Sequence, residues 1–335
     1  MRASAGRIPS LLGLALLLLA ANEAIQAALS LEGALISECG PEVQTVHVQY
    51  NVIMLQVSGA AVLGLLMNYQ SDYVKKVAAK FNSGDLKRLF LGMVVTGGSV
   101  YNRAGKYCIR FYGKDYAMHQ AFAGLSYELY RSSPSTIQIA GRGSYMTQLY
   151  CKDAVMDINE LSPETNARKG GVPTIEYILE GNRSIRQESM RVIMSVTGWV
   201  APSLKRTAFG YSVSTRIGLG SSNPLSLNEE YKILAESLLL KFNSYSDSRY
   251  PETGYLMSYD PDTCSAFLSM GGFVEGSLVK KGRHAGLEKN SVLKASLAIG
   301  GKRFDTPASA EKVLETALCN SNFELSALLG RIMLG

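Results

Sequence analysis

Apolar residues that recur every three or four positions are the feature that most constrains the fold of the C-terminal half. Between Glu229 and Phe242 they form one continuous stripe at Tyr231, Leu234, Ala235, Leu238, Leu239 and Phe242. Such a stripe is typical of an amphipathic helix with one buried face. A second stripe follows Thr306-Pro307, which predicts an N-cap and a first-turn proline. A third, Leu325 to Ile332, predicts a closing helix.

The N-terminal half contains one clear β pattern. Residues 43–57 alternate between apolar and polar side chains, which predicts a half-buried strand. From about residue 60 to 91 the spacing is helical, with a break at Asn82-Ser83-Gly84-Asp85 and Asp85 as the predicted N-cap. No internal repeat is recognisable. We therefore predict a mainly α, two-lobed helical protein with a minor β element near residues 43–57.

A chain of 335 residues can bury one large core or two medium ones. Proline, glycine and charged residues coincide between Leu161 and Pro173, which favours a lobe boundary there. The predicted domains are a hydrophobic N-terminal segment (residues 1–30), an N-terminal lobe (31–165), a C-terminal lobe (174–320) and a C-terminal helix or arm (321–335).

The first 30 residues allow more than one interpretation. Arg2 and Arg7 precede an apolar run over residues 11–21, and Ala24 and Ala27 follow, as in a secretory signal peptide. A cleaved signal at residues 1–27 would make the protein secreted or periplasmic. The alternatives are a hydrophobic arm that docks on a neighbouring copy and a retained membrane anchor.

Charge and composition favour an anionic partner and indicate no metal. The chain has 34 Lys+Arg against 28 Asp+Glu, a formal charge of +6. Its 5 cysteines never form Cys-x-x-Cys, and its 3 histidines are scattered. We therefore predict no zinc site, no disulfide scaffold and no cofactor.

Motifs for catalysis are absent from the sequence. There is no phosphate-binding loop, no nucleophile elbow and no His-Glu-x-x-His, and Gly218-Leu-Gly220 lacks the third glycine of a dinucleotide site. Asp260-Pro-Asp262 is interpreted as a turn rather than a cation site. These observations predict a binding and assembly protein that is not an enzyme and has no catalytic residues.

Residues 92–150 are rich in glycine, tyrosine and arginine. Examples are Tyr101-Asn-Arg103 and Arg110-Phe-Tyr112. Cations interleaved with aromatic rings suit a sugar-phosphate chain with stacked bases. The same residue types also line ordinary protein interfaces, so both interpretations stay open.

Two segments of the C-terminal half resemble the nucleoproteins of non-segmented negative-strand RNA viruses. The first runs from Thr215-Arg216-Ile217-Gly218 through Pro224 to a glutamate, Glu229, that opens a helix. The second, Tyr259 to Gly271, is similar to an aromatic-Pro-x-x-x-Ser-x-x-x-Gly signature. Together they cover about 60 residues.

The resemblance implies a viral nucleoprotein that coats single-stranded genomic RNA between two lobes, independently of sequence, and polymerises into a helical nucleocapsid through its terminal arms. The implied partners are single-stranded RNA, further copies of the chain and a viral polymerase cofactor. The implied location is the virion and the host cytoplasm or nucleus. The alternative is an exported, non-enzymatic binding or envelope-associated structural protein.

A packaging protein of this kind contacts phosphates with basic side chains from both lobes. The predicted RNA-binding residues are Arg183, Arg186, Arg191, Lys205, Arg206, Arg216, Lys280, Lys281, Arg283, Lys302 and Arg303.

Overall fold

The computed structural model describes residues 71–103, 105–139, 143–163, 172–247 and 250–319. The predicted strand at 43–57, the hydrophobic segment at 1–30 and the arm at 321–335 lie outside these ranges. Within them, no helix combines the length and the apolar character needed to cross a bilayer.

The first half of the described chain begins with a short helix, α1 (Asp72–Lys80). A repeat then follows, built from α2 (Ser83–Gly97), β1 (Gly98–Arg103), β2 (Lys106–Gly113), α3 (Tyr116–Tyr130), β3 (Ser135–Ile139), β4 (Ser144–Leu149) and α4 (Lys152–Leu161). Its four strands form an antiparallel sheet in the order β1-β2-β4-β3.

The second half repeats this arrangement after a single-turn helix, α5 (Glu176–Leu179). Its elements are α6 (Arg183–Thr197), β5 (Trp199–Thr207), β6 (Gly210–Pro224), α7 (Leu225–Glu236), β7 (Asn243–Asp247), β8 (Tyr250–Ser258) and α8 (Pro261–Ser269). The strand order is β5-β6-β8-β7, the same as in the first sheet. Then come α9 (Lys289–Ile299), β9 (Arg303–Phe304), which pairs with β6, and a helix over residues 307–319, α10.

Matching caps show that the two halves are structural repeats. The side chains of Asn82 and Asn182 accept hydrogen bonds from the backbone N–H groups of Asp85 (2.9 Å) and Ile185 (3.0 Å). Each bond satisfies a donor that the first helical turn leaves unpaired. Gly98 and Gly198 cap the other ends of α2 and α6. The sequence shows none of this, because the repeats share a fold and few residues.

Helices α2 and α6 pack against each other within the part of the chain that the structure describes. Small residues on α2 allow the close approach, because a Cβ built on Gly97 would lie 2.7 Å from Cγ1 of Val196. The helices also cover one face of each sheet, burying Val100 and Phe111 in the first and Val200 and Ile217 in the second. The core therefore lies between the helix pair and the two sheets.

The predicted fold class was wrong. The described residues contain nine strands in two antiparallel sheets, so the protein is not a mainly α, two-lobed molecule with one minor β element. The strands were missed because one face of each sheet carries arginine, tyrosine and serine, which weakens the apolar alternation. The Arg-Tyr segments of residues 92–150 are largely these strands.

Several local predictions are also corrected or confirmed. Asn82, not Asp85, caps α2, and the helix predicted over Glu229–Phe242 begins at Leu225 and ends at Glu236. Thr306 is confirmed as a cap, because its hydroxyl accepts from the N–H of Ser309 (3.1 Å). The turn at Asp260 starts α8, and hydrogen bonds to Thr263 lower the pKa of the Asp260 carboxyl.

Candidate functional site

Each of the two sheets has one face that packs against helices α2 and α6. The opposite face of each sheet carries polar and basic side chains. Residues that oppose each other in an antiparallel pair project to the same side. The register therefore places Tyr101, Lys106, Arg110 and Tyr112 together on what we call the first open face. Lys106 is exposed, and Tyr112 retains 38% of its surface.

The second sheet has an equivalent second open face. There the register places Trp199, Lys205 and Arg216 on one side, with Ser203 paired to Ser214. Strand β9 adds Arg303, opposite Ser212. The two sheets thus present similar polar and basic surfaces.

The two hairpins that carry most of these residues contain no acidic residue. Residues 98–113 include Arg103, Lys106 and Arg110, and residues 199–224 include Lys205, Arg206 and Arg216, with no Asp or Glu in either range. A hairpin with basic residues and no carboxylate carries a net positive charge, which attracts a polyanion.

The guanidinium of Arg110 lies over an aromatic ring of its own sheet. Its guanidinium carbon is 4.7 Å from the ring centroid of Tyr101. The neighbouring Ser99 hydroxyl and the nearby arginine charge lower the pKa of the Tyr101 hydroxyl against the effect of burial. The Arg110 Nε has no hydrogen-bond partner among the described residues.

Arg216 repeats this geometry on β6. Its guanidinium carbon lies 6.0 Å from the ring centroid of Tyr259, and Lys205 Nζ lies 5.4 Å from the same centroid. The Arg216 Nε is likewise buried, with no partner among the residues described. Strands β2 and β6 hold the same place in their sheets, but the arginines differ in register. Arg110 pairs with Ser99, one residue after the cap Gly98, and Arg216 pairs with Ala201, three residues after the cap Gly198.

The two open faces meet at a cavity of about 620 Å³. Tyr112 reaches it from the first face, and Trp199 and Ala201 reach it from the second. The ends of α2 and α6, at Gly97 and Gly198, line it as well. The faces therefore lie side by side, because β1 and β5 are edge strands that begin directly after these adjacent helices.

Three lysines line this cavity, which we call the lysine pocket: Lys280, Lys281 and Lys289. Lys289 is 1% exposed, and its Nζ donates to the carbonyl of Ser195 (2.7 Å). Lys280 Nζ donates to the carbonyl of Val196. Both ammonium groups thus bind the C-terminal turn of α6, where the helix dipole favours cations.

Burial and a neighbouring positive charge lower the pKa of both Lys280 and Lys289. Burial, followed by the charge of Lys280, lowers the pKa of Lys289 to about 7, although Asp115 opposes the shift. Burial also lowers the pKa of Lys280, again against the effect of Asp115. The described residues contain no cluster of three or more His, Cys, Asp or Glu that could hold a metal ion.

The structure brings together five of the predicted RNA-binding residues. Lys205, Arg216 and Arg303 lie on the second open face, and Lys280 and Lys281 line the lysine pocket.

The other six predicted residues lie elsewhere. Arg206 is exposed on the opposite side of β5, Arg183 and Arg186 lie in the first turns of α6, and Lys302 is exposed before β9. Arg191 pairs with Glu188 (2.9 Å) and donates to the carbonyl of Gly272 (3.1 Å), which indicates a structural role. Arg283 pairs with Glu311 (2.9 Å) and Glu315 (2.6 Å).

The prediction omitted the first open face and the most buried lysine. Interleaved arginine and tyrosine over residues 101–112 was the available signal for Arg110 and Lys106. Lys289 carries no sequence signal, because only the folded chain places it against the end of α6.

No protein-family model and no curated protein matches the sequence. Solved structures that resemble the fold include a mesophilic variant of the homing endonuclease I-DmoI (14% identity, 57% of this chain and 97% of that chain, TM-score 0.41). Another is the homing endonuclease I-WcaI bound to its DNA recognition sequence (10% identity, 61% and 89%, TM-score 0.43). These values do not assign the chain to a family.

The predicted nucleoprotein function was wrong. It required a helical two-lobed clamp, whereas the described chain forms two antiparallel sheets, and the similar solved structures are homing endonucleases. The nucleocapsid and capsid assignments fall with it. The prediction that the chain is not an enzyme is contradicted as well: it rested on missing motifs alone, and the solved structures that resemble the fold are endonucleases. Self-association through the terminal arms stays a prediction.

Proposed function

We propose that this protein binds double-stranded nucleic acid across its two open faces. The observation that carries the proposal is the pair of equivalent hairpins, each free of acidic residues and each with an arginine lying over a tyrosine. Arginine presents five donors in a planar fork, which suits phosphate oxygens and the acceptor edge of guanine. Arg110 and Arg216 place one such guanidinium on each open face.

The shape of the surface favours a duplex over a single strand. A two-stranded ribbon fits a major groove about 12 Å wide, and β-sheet proteins that bind duplexes use strands in this way. Single-strand binding instead needs free aromatic faces on which bases stack. Here Arg110 covers the ring of Tyr101, and Lys205 and Arg216 lie near the ring of Tyr259. These two rings therefore contact cationic side chains and are not free to stack on bases.

The test is a binding titration with three probes of one sequence: a labelled duplex of about two helical turns, its single DNA strand and the matching single-stranded RNA. We expect the duplex to bind most tightly at low salt. The logarithm of its affinity should fall linearly with the logarithm of salt concentration, at a slope of about −0.9 per phosphate contact. Lack of duplex binding at low salt, or preference for a single strand, would refute the proposal.

A further inference from the structure

The lysine pocket contains more positive than negative charge. Nζ of Lys289 and Nζ of Lys280 lie 3.7 Å and 4.0 Å from the same carboxylate oxygen, Oδ2 of Asp115. The other oxygen of Asp115 accepts from the backbone N–H of Leu278 (2.9 Å). One carboxylate therefore faces two ammonium groups, and the exposed Lys281 adds a third at the rim.

The inner lysines have hydrogen-bonding capacity left. An ammonium group has three donors. In the described structure Lys289 and Lys280 each place one of them on an α6 carbonyl. Two ammonium groups that share one carboxylate leave a net positive charge, and an anion in the pocket would compensate it.

The lining of the pocket suits an anion. Besides the three lysines it consists of backbone at Gly97 and Gly198, hydroxyl groups such as those of Thr96 and Thr197, and apolar side chains. No carboxylate is among the residues that line it. Hard divalent cations prefer several oxygen ligands, usually including a carboxylate, and this lining does not supply one.

We propose that the lysine pocket binds a phosphate group of the nucleic-acid backbone through Lys280, Lys281 and Lys289, without a bridging divalent cation. This inference rests on the proposed function, since the pocket lies between the two open faces over which the duplex would run. The phosphate sits at the junction of the two repeats and fixes the position of the duplex relative to both.

The first arm of the test uses inorganic phosphate alone. We expect the melting temperature of the wild-type protein to rise in phosphate relative to chloride at matched ionic strength and in the presence of EDTA. Lys281→Ala and the double variant Lys280→Met/Lys281→Ala should lose that rise. Lys294→Ala, an exposed lysine on α9, is the matched control and should keep it. An equal rise in wild type and both pocket variants, or none in wild type, would overturn the inference.

The second arm uses the labelled duplex in EDTA. In Lys281→Ala, the slope of log affinity against log salt concentration should become shallower by about 1. The variant should also bind the duplex about tenfold more weakly at about 0.1 M salt. Unchanged salt dependence in Lys281→Ala, or wild-type binding that requires a divalent cation, would contradict the inference. If wild type binds no duplex at all, the proposed function fails, and the phosphate arm still decides the pocket.

Discussion

Helices α2 and α6 occupy equivalent places in the two repeats and differ most where they end at the shared cavity. Both start at an asparagine cap and end at a glycine. At the end of α2, the Thr96 hydroxyl donates to the carbonyl of Gly92 (2.6 Å). At the end of α6, the carbonyls of Ser195 and Val196 accept from the buried Lys289 and the half-buried Lys280.

This comparison separates what the fold requires from what the site adds. Caps, strand order and the basic hairpins occur in both repeats, so they belong to the common scaffold. The lysine pair occurs at one helix end, and Lys280 and Lys289 come from the segment that follows the second repeat. The junction is therefore chemically asymmetric although its frame is repeated.

The largest expected effect is a pH dependence of the free energy of unfolding, which arises from Lys289 at the end of α6. The pKa of Lys289 is about 7 in the folded chain, against an ordinary value of 10.5. Between these values the unfolded chain holds a proton that the folded chain has released, so the free energy of unfolding should rise with pH. The rise approaches about 1.4 kcal/mol per pH unit. Below pH 7 both states are protonated, and the cost of burying the charge is fully present.

Denaturant titrations of wild type and Lys289→Met in phosphate-free buffer measure this contribution as a difference. Asp115, Lys280, Lys281, Lys114, Glu288 and Tyr112 are the titratable groups in or beside the pocket. Only the contributions that do not depend on Lys289 cancel in this difference, so the comparison measures Lys289 together with its coupling to Lys280 and Asp115. In Lys294→Met, the free energy of unfolding should change with pH as steeply as in the wild type. A slope that is the same in Lys289→Met and wild type would show that Lys289 does not titrate in this window.

The next effect concerns how closely the two helices pack. A Cβ on Gly97 would meet Val196 Cγ1 at 2.7 Å and Phe111 Cε2 at 2.8 Å. We expect Gly97→Ala to lower the free energy of unfolding by about 1–3 kcal/mol through overpacking.

Gly92 is the matched control on the same helix, where a Cβ would lie 3.4 Å from Ile178 Cδ1. Gly92→Ala should be neutral, or stabilising by up to about 1 kcal/mol, because alanine favours the helix. Urea denaturation of both variants checks the pair. Equal losses would contradict the packing described for the helix ends.

The smallest expected effect is the loss of stability when either asparagine cap, which both repeats share, is removed. Asn82→Ala and Asn182→Ala each remove a side chain that caps a helix, and each should cost about 1 kcal/mol. Serine at either position should restore most of the loss. Thermal or urea denaturation provides the values, and a cost at only one of the two caps would break the equivalence of the repeats.

Sequence reasoning predicted the helices better than the sheets. The cap at Thr306 and the break near Asn82 follow from local chemistry, which a sequence pattern reports directly. The strands around Arg110 and Arg216 follow from pairing between distant segments, and their polar outer faces hide the alternation.

The site could be predicted only in part for the same reason. Net positive charge and the Arg-Tyr segments indicated a polyanion partner, and Lys205, Arg216, Lys280 and Lys281 were named. The meeting of residues 112, 199 and 280 at one cavity depends on the tertiary packing of α2 against α6. The burial of Lys289 and its partnership with Asp115 across the fold carry no local signal either.

The most direct test of the central claim compares Arg110→Ala, Arg216→Ala and their combination in duplex binding. If both open faces bind one duplex, each single variant should bind about tenfold more weakly. The slope of log affinity against log salt concentration should become shallower by about 1 in each single variant and by about 2 in the double variant. Arg131→Ala is the matched control, because Arg131 also lies over a tyrosine, Tyr127 (5.5 Å), but at the C-terminal end of α3. Wild-type affinity in either single variant, or an equal loss in Arg131→Ala, would contradict binding across both faces.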